Sequence, residues 1–416
     1  MWLLNSALEK FVVTGTLGII DADDRFYRFG PSEPGQYPDV IVVLRDRGLY
    51  WKLALYPQLY LGEAYMDGTL EVTRGTIWGL LDLCGRNLAR ARKGRSGSLR
   101  RAATRLVQYA TQLNSRARAR KNVAHHYDLA NELYAAFLDP DLQYSCAYFA
   151  DPDFTLEQAQ AAKKRHIAAK LLLERNQKIL DIGSGWGGLA IELARDHDVR
   201  VDGLTLSGEQ LEVAKTRAHA SGLSERVRFF AKDYREMTGE FDRIVSVGMF
   251  EHVGVPYYHA FFAKVGELLT PGGVALLHTI GATDGPGLGN PWIRKYIFPG
   301  GYIPALSEIL PAIEKAGLIV TDIEVLRLHY AQTLRHWRER FHARWENLRR
   351  YYDDRFHRMW EFYLAASEMS FRHGGLVVFQ IQLAKEQMAV PLSRDYMFEF
   401  ERLAAKDLDL NQSRVG

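Results

Sequence analysis

From residue 178 onward short apolar runs alternate with stretches of helical period. The pattern predicts strands at Lys178 to Ile182, Val199 to Leu206, Val227 to Ala231, Arg243 to Val247, Val274 to Thr279, Ile319 to Leu328 and Val377 to Ala384. Helices belong between them, including Gly208 to Ala220 and Tyr257 to Leu269. Such β-α-β-α alternation implies a parallel sheet covered on both faces. Earlier in the chain the period shortens. Residues 11 to 73 read as strand-rich: Phe11 to Ile20, a turn at Asp21 to Asp24, Arg25 to Phe29 with period two, and a strand pair at Val40 to Leu44 and Leu49 to Leu55. A short strand and a helix over Thr76 to Leu88 follow, which makes a small α+β unit. From Leu334 to Ser370 the chain is helical and carries nine aromatic residues, among them Trp337, Phe341, Trp345, Trp360 and Tyr363. A stripe of that kind packs a core or walls a tunnel for an apolar ligand.

At 416 residues the chain is long enough for two domains. The glycine-, serine- and arginine-rich run from Arg92 to Arg101 reads as the linker, giving domains over 1–115 and 116–385 and a tail over 386–416 that carries no decisive signal. The net charge of +3 conceals an asymmetry, because twelve cations and no acid lie between Arg86 and Lys121. A basic segment with Leu99, Leu106, Val107, Tyr109 and Leu113 among its charges suits an anionic membrane surface, and no nucleic-acid-binding signature accompanies it. The N-terminus lacks a basic start before its apolar residues, and no apolar run is long enough for a bilayer. The two cysteines, Cys84 and Cys146, point to a reducing compartment without a disulfide framework. A cytoplasmic protein is expected.

The most informative stretch runs from Lys178 to Ile191: a strand, a glycine turn and the start of a helix. Asp181 precedes the turn, Gly183 and Gly185 let the backbone bend toward a ligand, and Gly187 and Gly188 let the next helix pack on the sheet. Gly183, Gly185 and Gly188 also satisfy the dinucleotide pattern, but that reading needs an acid at the end of the second strand. The strand's only acid, Asp202, falls in its middle. A carboxylate at the first turn suits a ligand with an ammonium group and no phosphate, and S-adenosylmethionine (SAM) is such a ligand.

Other clusters gather where the strands end. Asn122 to Asp128 and Gln143 to Phe149 precede the first strand, in position to fold over the site. Ser246 to Gly254 and Leu277 to Gly281 bring Glu251, His252 and His278, which lack the spacing of a metal site. Glu251 and His278 read as facing polar groups that hold a small acid or base. The segment Gly287 to Gly301 is placed to lid the pocket.

Taken together, His126 to Asp128, Tyr144 to Tyr148, Leu180 to Gly187, Leu204 to Gln210, Phe250 to Gly254, His278 to Ile280, Tyr296 to Gly301 and Tyr330 resemble bacterial cyclopropane-fatty-acyl-phospholipid synthases, over about residue 60 to about residue 385. The resemblance implies an α/β fold: the seven-stranded Rossmann-like sheet of SAM-dependent methyltransferases, with a small N-terminal lipid-binding domain marked by Leu61 to Gly68. It implies methylene transfer from SAM to the cis double bond of phospholipid acyl chains, with bound bicarbonate as the base. By motif match the bicarbonate cradle is Cys146, Glu251, His278, Ile280 and Tyr330, with Cys146 and Ile280 acting through backbone groups. SAM lies along Asp181, Gly183 and Gly185 under Tyr144 and Ser145, with Thr205 and Gln210 at the ribose and Asp233 and Tyr234 at the adenine. A homodimer at the cytoplasmic face of the inner membrane is also implied. Ala130 and Glu132 stand where the family often has Gly and Asp. Two further readings are a fatty-acyl C-methyltransferase that leaves a methyl branch, and a silent lipid-binding protein, against which Asp181, Glu251 and His278 argue.

Overall fold

Lys178–Ile182 is buried along nearly its whole length, as a strand covered on both faces must be, and it forms the middle of the larger of two sheets. The computed structural model describes residues 1–31, 38–92 and 131–412, with side chains throughout except at 91, 92 and 404–412. The proposed domain boundary, the linker, Lys93 to Lys121 and His126 to Asp128 lie outside the described residues.

The N-terminal unit comprises α1 (Trp2–Phe11), β1 (Leu17–Ile20), β2 (Phe26–Phe29), β3 (Val40–Leu44), α2 (Leu49–Leu55), α3 (Pro57–Met66), β4 (Leu70–Arg74) and α4 (Ile77–Arg92). Its sheet runs β2-β1-β3-β4, with β1 and β3 parallel. Two expectations are corrected here. Phe11 to Ile20 is not one strand: Val13 and Thr14 donate their N–H groups to Asn87 Oδ1 of α4 at 2.9 and 3.0 Å, so a side chain takes the place of a ladder. Leu49 to Leu55 is a helix. Asp46 accepts the Gly48 N–H and opens a turn, after which Leu49 and Leu53 meet the core at a spacing of four.

The second unit comprises α5 (Asn131–Phe137), α6 (Leu156–Leu171), β5 (Lys178–Ile182), α7 (Gly188–His197), β6 (Arg200–Thr205), α8 (Gly208–Ala220), β7 (Val227–Ala231), β8 (Phe241–Val247), α9 (Tyr258–Leu268), β9 (Leu269–Ala282), α10 (Pro291–Tyr296), α11 (Leu306–Lys315), β10 (Ile319–Leu326), α12 (His329–Ala343), α13 (Trp345–Leu348), α14 (Asp354–His373), β11 (Leu376–Ala384) and α15 (Asp395–Gln412). All seven strands read from the apolar pattern are present. Their order is β10-β11-β9-β8-β5-β6-β7, parallel except that β11 runs against both neighbours. The order reverses at β5, between β8 and β6, so a crevice opens over the carboxyl end of the strand that carries Asp181.

The two units are joined through α3. Tyr65 donates to Glu361 (2.6 Å), Lys295 and Tyr296 donate to Glu63 (2.7 and 2.9 Å), and Arg355 donates to Asp67 (2.8 Å). The segment placed as a lid is therefore largely a docking element: Trp292 of α10 is fully buried over Gly62. Its Phe298 does reach toward the crevice, with ring centroids 6.1 Å from His252 and 5.9 Å from Tyr363. Within the tail Asp395–Gln412 forms α15, packed on α6. His166 of α6 bridges Glu324 and Glu401 at 2.6 Å each, and Arg394 pairs with Asp322. Cys84 and Cys146 are both free thiols. Among the described residues no helix is long and apolar enough to cross a membrane.

Candidate active site

At the reversal point lies an open cleft of about 1310 Å³. All nine residues assigned to the cofactor line it: Tyr144, Ser145, Asp181, Gly183, Gly185, Thr205, Gln210, Asp233 and Tyr234. They arrive from the ends of β5, β6 and β7 and from the segment that crosses above them. Gly183 turns at φ +92°, and a Cβ there would sit 2.8 Å from Met249 Cβ, so only glycine lets the β5 turn meet the turn after β8. Gly188 has another role than the one expected. A Cβ on it would lie 2.4 Å from Gln143 Nε2 and 2.5 Å from Asp141 Oδ2, so it accommodates the crossing segment and not the sheet.

Asp181 is 1% exposed, and its Oδ2 has no hydrogen-bond partner. Burial raises its pKa to about 7 against the pull of Lys163, so the cleft holds a carboxylate poised to ionise for a cation. Asp202 lies mid-strand and is paired with Arg228 (Nη2 to Oδ1, 2.9 Å). Its carboxylate is already engaged, as an acid serving a ribose at the strand end would not be. At that end Thr205 donates to Gln210 Oε1 at 2.9 Å. Asp233 is engaged by Arg235, whose Nε and Nη2 approach at 2.8 and 2.6 Å, which fixes the loop that carries Tyr234.

The second group of residues lies beside the cleft. Glu251 and Ile280 are brought together: the Ile280 N–H donates to Glu251 Oε1 at 2.6 Å. Glu251 Oε2 is buried without a partner, and burial pushes its pKa up although the Ile280 N–H opposes the shift. His278, deep in β9, accepts the Gln380 amide on Nδ1 at 3.1 Å. Burial, reinforced by the charge of Lys163, lowers its pKa to about 3. The ring is thus neutral. Cys146 and Tyr330 meet through α12: Thr333, three residues after Tyr330, accepts the Ala147 N–H at 3.0 Å. The Cys146 thiol is buried and pushed above the ordinary thiol range, so it is no thiolate nucleophile.

Aromatic rings connect the two groups. Trp186 of the cleft lies 4.9 Å from Tyr134, Tyr134 lies 5.5 Å from Tyr144, Tyr144 lies 5.2 Å from Trp337, and Trp337 lies 5.7 Å from Tyr330. The aromatic stripe predicted for Leu334 to Ser370 is therefore core, with one edge turned toward the site. Two polar residues of α6 escaped the sequence reading. Gln160 donates to the carbonyls of Gln143 and Ser145 at 3.1 and 3.0 Å, and Lys163 donates to Gln143 Oε1 and Ser145 Oγ at 2.6 and 2.8 Å. Their only signal was spacing, since polar residues at 160, 163, 166 and 170 interrupt what would otherwise be an apolar helix face.

Comparison with known proteins agrees with this geometry. Residues 114–381 match the family model described as mycolic acid cyclopropane synthetase. The cyclopropane-fatty-acyl-phospholipid synthase of Escherichia coli K12 is 41% identical over 387 residues, covering 92% of this chain and 97% of that protein. A probable fatty acid methyltransferase of Pseudomonas putida is 37% identical over 371 residues, covering 87% of this chain and 90% of the relative. Among solved structures, the mycolic acid cyclopropane synthase CmaA1 complexed with SAH and CTAB superposes with a TM-score of 0.60 at 33% identity, covering 64% of this chain and 97% of that one. A carboxylate without a partner at the first turn, a strand end without a ribose acid and these relatives agree: the chain belongs to the mycolic acid cyclopropane synthetase family and is a SAM-dependent methyltransferase.

Proposed function

We propose that this chain is a cyclopropane-fatty-acyl-phospholipid synthase, which adds the methyl carbon of SAM across the cis double bond of an acyl chain and closes the ring. The observation that carries this reading is two buried polar groups that follow β8 and lie in β9: Glu251 with an orphan Oε2, and neutral His278 beside Gln380. Ring closure must remove a proton from the transferred methyl carbon, and two such groups suit the holding of a small base for that step.

The alkene π pair forms the new C–C bond to the sulfonium methyl, and the C–S electrons leave on sulfur. The resulting cation loses a proton from the transferred methyl, and that C–H pair closes the ring. Asp181 anchors the cofactor's ammonium, and Tyr144 and Ser145 cover its methionine end. Water exclusion falls to the ring series from Trp186 to Tyr330, whose π faces also favour a developing cation. Deprotonating the methyl requires a base in a dry site, and Cys146 is held as a neutral thiol. Glu251, which both accepts the Ile280 N–H and keeps an open oxygen, suits a small oxyanion together with His278, the Tyr330 hydroxyl and backbone at Cys146. A bicarbonate held there would supply the base for the methyl proton. Glu251 and His278 keep the acid–base inventory of that corner fixed.

The substrate is reached from the cytoplasmic face of the inner membrane, with the basic segment drawn to anionic lipid. The test is expression of the chain in a host that lacks cyclopropane lipids, followed by mass spectrometry and NMR of the extracted acyl chains. A gain of one CH2 with ring protons is expected, and Glu251→Gln should cut the yield at least tenfold while leaving SAH affinity within about twofold. Unchanged lipids would overturn the proposal, and a gain of carbon without a ring would replace it with methyl branching.

A further inference from the structure

The segment that crosses above the cleft, residues 139 to 149, is a strap with little regular structure of its own. Its grip comes from behind. Asp139 Oδ1 accepts the Gln143 N–H at 2.9 Å, Lys164 pairs with Asp141 at 2.6 Å, and Gln160 takes the two carbonyls on either side of Tyr144. Further along, Ala147 and Phe149 donate to Thr333 and His329 of α12. One contact stands apart in kind. Lys163 is 1% exposed, and among the described residues no carboxylate forms an ion pair with it. Its ammonium instead donates to neutral oxygens of two residues that line the cleft, Gln143 Oε1 and Ser145 Oγ. Burying an ammonium without a direct counter-ion is costly, and an apolar residue of similar length would pack in the same place without that cost. Such a cost persists where the charge serves the site.

We propose that Lys163 is a positioning residue for the methyl donor: it clamps the strap through Gln143 and Ser145 and keeps a buried positive charge beside the cofactor cleft. This role rests on the cofactor-site reading above. The groups facing the ammonium are Asp139, Asp141 and Cys146 from the strap, Lys164 from its own helix, Asp181 from β5 and His278 from β9. Its two nearest partners are uncharged, so its field acts on the carboxylates around it, and Asp181 is the one that lines the cleft. The ammonium draws Asp181 toward the ionised form that a cationic ligand needs, opposing the burial that keeps it protonated. Lys163 therefore does two jobs from behind the wall. It fixes where Ser145 sits, and it sets the pH above which Asp181 is charged.

The experiment uses the full chain, with SAH as the probe in calorimetric titrations from pH 5 to 7.5, below the value of about 8 to which burial lowers Lys163, and steady-state kinetics on vesicles of unsaturated phospholipid. Lys163→Met should weaken SAH about tenfold and raise the KM for SAM to match, with kcat changed less than threefold. The limb of the affinity profile that rises with pH should move to higher pH, a shift that loss of packing alone does not produce. Lys163→Arg, which keeps the charge, should return that limb toward its wild-type position. A folded Lys163→Met protein with wild-type SAH affinity and an unmoved limb overturns the proposal. If that variant does not fold, Ser145→Ala takes its place: faster amide exchange across residues 143–149 with weaker SAH binding is expected, and unchanged exchange overturns the clamp. Failure of the wild type to bind SAH overturns the site reading itself and this role with it, whereas SAH binding that Lys163→Met retains overturns only the role of Lys163.

Discussion

At the scale of single residues the site depends on one buried carboxylate whose ionisation is coupled to its ligand. The pKa of Asp181 lies near 7 in the ligand-free fold, above its ordinary value of 3.8, so the folded chain holds that proton more tightly than the unfolded chain does. The sign follows. As pH rises from about 4 to about 7 this group costs the fold stability, and a bound cation offsets the cost. The rise in Tm produced by saturating SAH should therefore be larger at pH 8 than at pH 6, and Asp181→Asn should weaken SAH by roughly ten- to a hundredfold at pH 8 and remove that difference. Differential scanning fluorimetry at the two pH values is the check, and equal shifts for wild type and variant would refute it. Asp181 and its glycines could be read from sequence because their spacing is local: a strand end, a bend and a helix start within eleven residues. Lys163 could not, since nothing in a helix with Lys at 163, 164 and 170 says which of the three is buried behind the cleft and which pair with acids.

At the scale of elements the doubly covered strands were legible as elements because their residues are mostly apolar, although β9 (Leu269–Ala282) extends beyond the run Val274 to Thr279 at both ends. The N-terminal unit was harder to read. There a strand and a short helix share the same apolar content, and only a side-chain cap from Asn87 and the turn at Asp46 decide between them. The tail carried least signal, yet α15 is tied into the catalytic unit by a charged cluster. His166 bridges Glu324 and Glu401, and its pKa is raised because these hydrogen bonds outweigh the desolvation that opposes them. A histidine raised in the fold contributes stability that is complete below its unfolded pKa and fades as pH climbs through the folded value. Glu401→Gln should accordingly cost about 1 kcal/mol near pH 6 and progressively less toward pH 9, measured by urea unfolding across that range. A cost that does not change with pH would mean the histidine is not the partner that counts.

At the scale of the whole molecule two units serve one reaction. The motif Leu61 to Gly68, which sequence could only mark as a family feature, proves to be the joint: Glu63, Tyr65 and Asp67 all reach α10 or α14, and Gly62 makes room for Trp292. Through Phe298 that joint continues to His252 at the edge of the cleft. The N-terminal unit is thus joined by continuous contacts to residues that line the cleft. Relatives named for ring formation and for methyl transfer are both close to this chain, so the product separates the readings. The most direct measurement supplies the purified full chain with SAM labelled by carbon-13 and deuterium on its methyl group, together with vesicles of cis-unsaturated phospholipid, and reads the lipid by NMR. The expected result is a labelled ring methylene that keeps two of the three deuterons while the alkene signals disappear. Label in an intact methyl group, or none in the lipid at all, would contradict ring closure by this site.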